Sequence, residues 1–165
     1  MDGDRPSAVT IAGLLRPFRW SLTLRDRQGR ALAGVAGPNL LLLPGRQQAL
    51  AMLLGQLKPA AAYNWVEIGT SALAPDQNQT GCLAPVLQAD GVTRYRVRGD
   101  WVASGDLLTL TITILGTDVQ ASVRETALFP SGIAGSLVAL SRFAYPAPLV
   151  LTAENALDIV VSMTA

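Results

Sequence analysis

The sequence predicts an all-β fold: an antiparallel β-sandwich or jelly roll with one short helix. Three observations carry this. Apolar and polar residues alternate with period two in several stretches separated by short turns. Helical spacing occurs in one stretch, about residues 45–57. Strands do not alternate with helices in the rhythm of a parallel βαβ sheet.

Taken in order, residues 1–18 read as an N-terminal arm and residues 19–165 as a single sandwich domain. Asp2 to Ser7 are polar and loop-forming. Val9, Ile11, Leu14 and Leu15 follow without strand alternation, so the arm either packs on a neighbour or frays. Trp20, Leu22 and Leu24 then alternate with Ser21, Thr23 and Arg25 as a half-buried strand. Asp26-Arg27-Gln28-Gly29 is a turn, and Ala31 to Val35 its returning strand. Asn39 to Leu43 is a short apolar run, expected as a buried strand. Leu50, Leu53, Leu54 and Leu57 share one face of a helix from Gly45 to Leu57, with Pro44 at its start and Lys58-Pro59 at its end.

Tyr63 to Thr70 is expected as a strand, and Ser71 to Pro85 as a long surface loop; loops of this length are usually functional or mobile. Gly91 to Ala103 reads as one long strand with Arg94, Arg96 and Arg98 on one face. After the turn Ser104-Gly105-Asp106, the partner strand buries Leu108, Leu110, Ile112 and Ile114, making a hairpin. Three further strands are expected over Val119–Leu128, Ser136–Phe143 and Ala156–Met163.

Half of the residues are hydrophobic and 15% are charged, against roughly 25% charged in ordinary soluble domains. Apolar runs are broken well short of the ~20 residues a membrane helix needs, and the acidic Met1-Asp2-Gly3-Asp4 is unlike the basic start of a secretion signal. These features predict a soluble oligomer with large buried interfaces. A net charge of +1 gives no broad field for nucleic acid. Twelve of the thirteen basic residues are arginine, which suits interfacial pairing and also follows from a GC-rich genome. The lone Cys82 cannot close an intramolecular disulfide.

Chemistry-bearing patterns are sparse. No histidine can serve a nucleophile as base, and no Cys/His cluster has zinc spacing. Asp76-x-Asn78-x-Thr80-Gly81 imitates the start of a calcium loop, but its twelfth position is Leu87 rather than Glu. Arg98-Gly99-Asp100 spells an adhesion tripeptide inside an expected strand, and a kink at Gly99 accounts for it better. No cofactor is expected. Glu67 and Glu125 stand in apolar strands and are the best acid–base pair on offer; alternatively each is matched by an arginine such as Arg124 or Arg142. The candidate interface residues are Arg94, Arg96, Arg98, Trp65, Glu67, Glu125 and Arg142.

Two segments carry a resemblance. Asn64-Trp65-Val66-Glu67-Ile68-Gly69-Thr70 leads through a polar loop to Gly81-Cys82-Leu83. Glu125-Thr126-Ala127-Leu128-Phe129 leads through a Gly turn to Gly135–Phe143, and a last alternating strand, Leu157 to Met163, closes the chain. In this order the pieces resemble structural proteins of tailed-phage virions over about residues 39–165; the arm matches nothing in them. The resemblance implies a non-enzymatic virion component, assembled in the bacterial host cytoplasm and working as a homo-oligomer, often a trimer. Its implied role is capsid decoration (cement), with the major capsid protein or other virion proteins as partners and neither membrane nor nucleic acid contacted directly. A tail or neck fibre or adaptor protein is the alternative within that class. A carbohydrate-binding or glycan-cleaving sandwich, using Trp20, Trp65 and Trp101 as stacking faces and Glu67 with Glu125 as its two carboxylates, is the alternative outside it.

Overall fold

The computed structural model describes residues 18–53, 63–130 and 138–164. The elements are β1 (Arg19–Asp26), β2 (Ala31–Pro38), β3 (Leu40–Leu41), α1 (Leu43–Leu53), β4 (Trp65–Gly69), β5 (Arg96–Arg98), β6 (Asp100–Ser104), β7 (Leu107–Leu115), β8 (Ala121–Phe129), β9 (Ser141–Leu151) and β10 (Asn155–Thr164). They form two five-stranded sheets, ordered β2-β1-β10-β7-β6 (sheet A) and β3-β9-β8-β4-β5 (sheet B). Every strand pairing is antiparallel. The fold is therefore an all-β sandwich, as the alternation predicts. No helix among the described residues is long and apolar enough to cross a membrane.

Sheet A shows why period two was legible. Its register stacks apolar side chains in rungs: Trp20 beside Val161 beside Leu110, then Leu22, Ile159 and Ile112, then Leu24, Leu157 and Ile114. All nine are buried. The intervening rungs face water and are mostly polar, such as Thr23, Asp158 and Thr113. Arg25 Nε and the Thr113 hydroxyl each donate 2.7 Å bonds to Asp158. Across the sandwich, Val66, Ile68, Leu128, Phe143 and Leu149 of sheet B complete the core. Trp20 stacks on Phe143 at a centroid distance of 6.5 Å. Phe18, assigned from sequence to the arm, is buried 6.2 Å from the Trp101 ring and belongs to this core.

The chain crosses between the sheets four times, and two of the crossings are single-residue corners. One corner is at Asn39, between β2 of sheet A and β3 of sheet B, and the second is at Gly99, between β5 and β6; the β7–β8 and β9–β10 connections make the remaining crossings. The long strand expected over residues 91–103 is therefore divided. A Cβ at Gly99 would lie 2.7 Å from Ile112 Cγ1 and from Leu110 Cδ1, so glycine permits the chain to pass this close to the core. The hairpin with β7 survives as β6–β7, with Gly105 at φ +58° in its turn.

Three other boundaries differ from expectation. Within Asn39–Leu43 only Leu40–Leu41 is strand, and Leu43 opens the helix, with Pro44 in its first turn where a missing N–H costs nothing. Residues 54–57 of the expected helix lie outside the described residues, as do residues 1–17 of the arm. The strand expected over Ser136–Phe143 begins at Ser141 and continues to Leu151; Ser136 and Leu137 lie outside the described residues. Pro146 and Pro148 obscured that continuation. They fall where pairing lapses, between Ala144 opposite Glu125 and Leu149 opposite Val123, so their missing donors disturb no ladder bond.

Candidate functional site

Over β4, β8 and the start of β9, sheet B is buried on both faces. Its outer face carries the rung Leu40, Arg142, Ala127, Glu67, Arg96, with Gly69 beside Glu125 on one side and Arg98, Trp65, Phe129 on the other. Alternation along β4 and β8 puts Glu67 and Glu125 here, away from the core between the sheets. The segment between β4 and β5 folds over this face.

Glu125 is fully buried and fully engaged. Its Oε1 accepts from the backbone N–H of Ala84 (2.8 Å) and Ser71 (3.2 Å). Its Oε2 accepts from Leu83 N–H (3.0 Å) and from Nε and Nη2 of Arg142, each at 2.7 Å. Arg142 is also fully buried; it donates through Nη1 to Gln79 Oε1 (2.9 Å) and through Nη2 to the Leu73 carbonyl (3.0 Å). One ion pair thus grips residues 71, 73, 79, 83 and 84 of the loop. Gly69 makes room: a Cβ there would sit 2.4 Å from Glu125 Oε1.

Glu67 forms the second centre. Arg96 Nε meets its Oε2 at 2.9 Å and Arg94 Nη1 its Oε1 at 3.5 Å. The Arg96 guanidinium lies 3.6 Å over the Phe129 ring, a favourable cation–π contact. Gly81 lets the loop approach that ring; a Cβ there would lie 2.7 Å from it. Cys82, within the loop, is buried against sheet B, its thiol donating to the Glu67 carbonyl at 3.7 Å. Burial, with the Glu67 and Glu125 carboxylates nearby, pushes its pKa well above the ordinary thiol value. Further along, Asp90 closes a small turn by accepting from the Thr93 hydroxyl and the Val92 and Thr93 N–H groups, which holds its carboxyl below the usual range.

Of the residues expected at an interface, Glu67, Glu125, Arg96 and Arg142 are therefore interior to this chain, and Trp65 is half-buried. The Arg94/Arg96/Arg98 stripe does share one face, but two of its members bind Glu67. Arg98 is the exposed one, 3.7 Å from Asp100. The arginine-partner reading of the acids holds: Glu125 takes Arg142 rather than Arg124, and Glu67 takes Arg96 and Arg94. A carboxylate has about four acceptor positions, and those of Glu125 are consumed. The same pairing engages both carboxylates that a glycan-cleaving site would draw on. Trp20 lies in the core and offers no stacking face; Trp101 is half-buried, tilted against Phe18, and its Nε1 donates to the Tyr63 carbonyl (2.8 Å). The Asp76 carboxylate accepts from Asn78 N–H at 2.9 Å and closes a local turn. Among the described residues no group of three or more His, Cys, Asp or Glu could hold a metal.

Sequence reasoning missed the loop's role. Gln79, Gly69, Gly81 and Phe129 are as much part of this layer as the charged residues. The available signal was two glycines flanking the loop beside two isolated acids in apolar strands. Comparison with protein-family models, with curated proteins and with solved structures found no match to this chain.

Proposed function

We propose that this chain is a non-enzymatic structural protein of a tailed-phage virion, a capsid decoration (cement) protein acting as a homo-oligomer. The observation that carries the reading is the clamped loop. Both segments behind the phage resemblance, Asn64–Leu83 and Glu125–Phe143, meet on sheet B and build one ionic layer. The layer fixes a loop that presents Leu73 and Leu83, with Leu40 and Leu43 on the adjoining segments, all exposed. A rigid apolar surface loses little conformational freedom on docking, and repeated weak contacts across a lattice add through multivalency.

The test is to label virions from the producing host with antibody to this chain and to count copies by quantitative gel. Decoration predicts labelled heads and hundreds of copies per particle. Label confined to the tail or neck, in few copies, moves the chain to the fibre or adaptor class. Particles without the chain sink the virion reading.

A further inference from the structure

We propose that the N-terminal arm of one copy docks in an apolar cleft of the next, with Ile11 and Leu14 among the side chains that fill it. This rests on the assembly reading above and specifies what joins the copies.

The cleft lies at the end of the sandwich beside α1. Its volume is about 250 Å³, and Phe18, Tyr63, Trp101, Leu108, Leu140 and Met163 line it together with Ala49 of α1. The register of sheet A shows how it arises. The core-side rung of Trp20, Val161 and Leu110 is buried. In the next core-side rung Met163 and Leu108 are half-buried and Ala103 is exposed. The helix does not make up the difference: from Gln48 to Met52 every side chain is only half-buried, although Ala49, Leu50, Ala51 and Met52 are apolar. The polar atoms of the lining are turned to the backbone. The Tyr63 hydroxyl donates to the Gly45 carbonyl (3.3 Å) and Trp101 Nε1 to the Tyr63 carbonyl (2.8 Å). No charged side chain is among the lining residues, so a charged or polar occupant would find no partner there. An apolar cavity of roughly 150 Å³ takes a benzene-sized group, and this cleft is large enough for bulky aliphatic side chains.

The chain itself supplies such side chains. Phe18, buried in the lining, is where residues 1–17 join the domain. Residues 7–15 of that arm carry no charge and include Val9, Ile11, Leu14 and Leu15. Docking removes their apolar surface from water together with that of the cleft. Two features favour a neighbour's cleft over the arm's own. Pro17 disfavours the αR conformation at Arg16 that would turn the chain straight back, so the apolar residues are carried away from Phe18. The stretch from Val9 to Pro17 can span up to about 30 Å, enough to bridge to a second copy. The contact joins two different surfaces, arm to cleft, so it is heterologous and closes as a ring where the rotation allows. A ring of three suits the trimer that the resemblance implies.

The experiment measures mass in solution by sedimentation for the wild type, for an arm variant, Ile11→Asp with Leu14→Asp, and for a cleft variant, Ala49→Glu. Each variant puts charge into an apolar contact. Expected are a wild-type oligomer and self-association weakened about tenfold or more in each variant. Mixing the two variants should give a one-to-one dimer, in which the intact arm of one and the intact cleft of the other complete a single contact. Amide exchange over residues 9–15 of the wild type should slow as concentration rises; that readout needs no variant to fold. Variants that assemble like the wild type, or exchange over residues 9–15 that does not change with concentration while the wild type assembles, overturn the arm contact and leave the assembly reading standing. A wild type that stays monomeric at millimolar concentration overturns both.

Discussion

Sheet A and sheet B are built from the same number of strands and handle their outer faces in opposite ways. Sheet A leaves its outer face to water, so Thr, Ser and charged residues alternate with the buried Leu, Ile and Val of β1, β7 and β10. Sheet B covers its outer face with a loop. In β8 every residue from Glu125 to Phe129 is buried, and charged groups lie inside beside Ala127 and Phe129. The two layers also respond differently to damage. The core between the sheets is held by contact area, where loss is graded. The ionic layer is held by a few saturated groups, where removing one leaves a buried charge or several orphaned N–H groups.

The largest effect is expected from Arg142→Met, which strands the buried Glu125 carboxylate and should cost about 3–5 kcal/mol in urea unfolding. An apolar replacement of both partners often rescues a buried ion pair. Here Glu125→Leu with Arg142→Met should remain destabilised, because Ser71, Leu83 and Ala84 lose their acceptor. Full recovery in the double variant would mean that the loop is not clamped through Glu125.

Next comes Ile159→Ala in the middle of sheet A, which should cost ~2–5 kcal/mol by creating a cavity. The contrast sharpens with Cys82 as reporter. Native-state alkylation of the buried thiol should speed up more for Arg142→Met than for Ile159→Ala at matched global stability, since only the former opens the loop. Equal rates would make the two layers one cooperative unit.

Thr126→Val should stabilise. Thr126 faces the core, opposite Ile68 and Phe143, with its buried hydroxyl unpartnered, and replacing it by a methyl removes a desolvation cost of about 1 kcal/mol or more. A loss of stability in thermal melts would reveal a partner for that hydroxyl.

The smallest effect concerns pH. The folded protein holds the Cys82 proton more tightly than the unfolded chain does. Its contribution is therefore complete below the unfolded thiol value, about 8.5, and is lost as pH rises above it. Wild-type stability should fall in mildly alkaline solution, and Cys82→Ala should flatten that fall. Parallel profiles for the two proteins would place the alkaline loss elsewhere.

Legibility in the sequence follows the same division. The strands of sheet A were readable because one face meets water and stamps period two on the chain. The turn at Asp26–Gly29 was readable too: Asp26 accepts the Gln28 and Arg30 N–H groups, and Gly29 takes φ +81°. The choice between Arg124 and Arg142 as partner for Glu125 was also accessible, since strand neighbours point to opposite faces. Where the information is local, in the period, the turn residue or the helix-starting proline, it is written in neighbouring residues and survives without coordinates. The splitting of residues 91–103 between two sheets depends on the space beside Ile112 and Leu110. The grip of Glu125 on the loop depends on backbone groups more than forty positions away. Such features arise from where distant segments come to lie, and no window of sequence contains both partners of the contact.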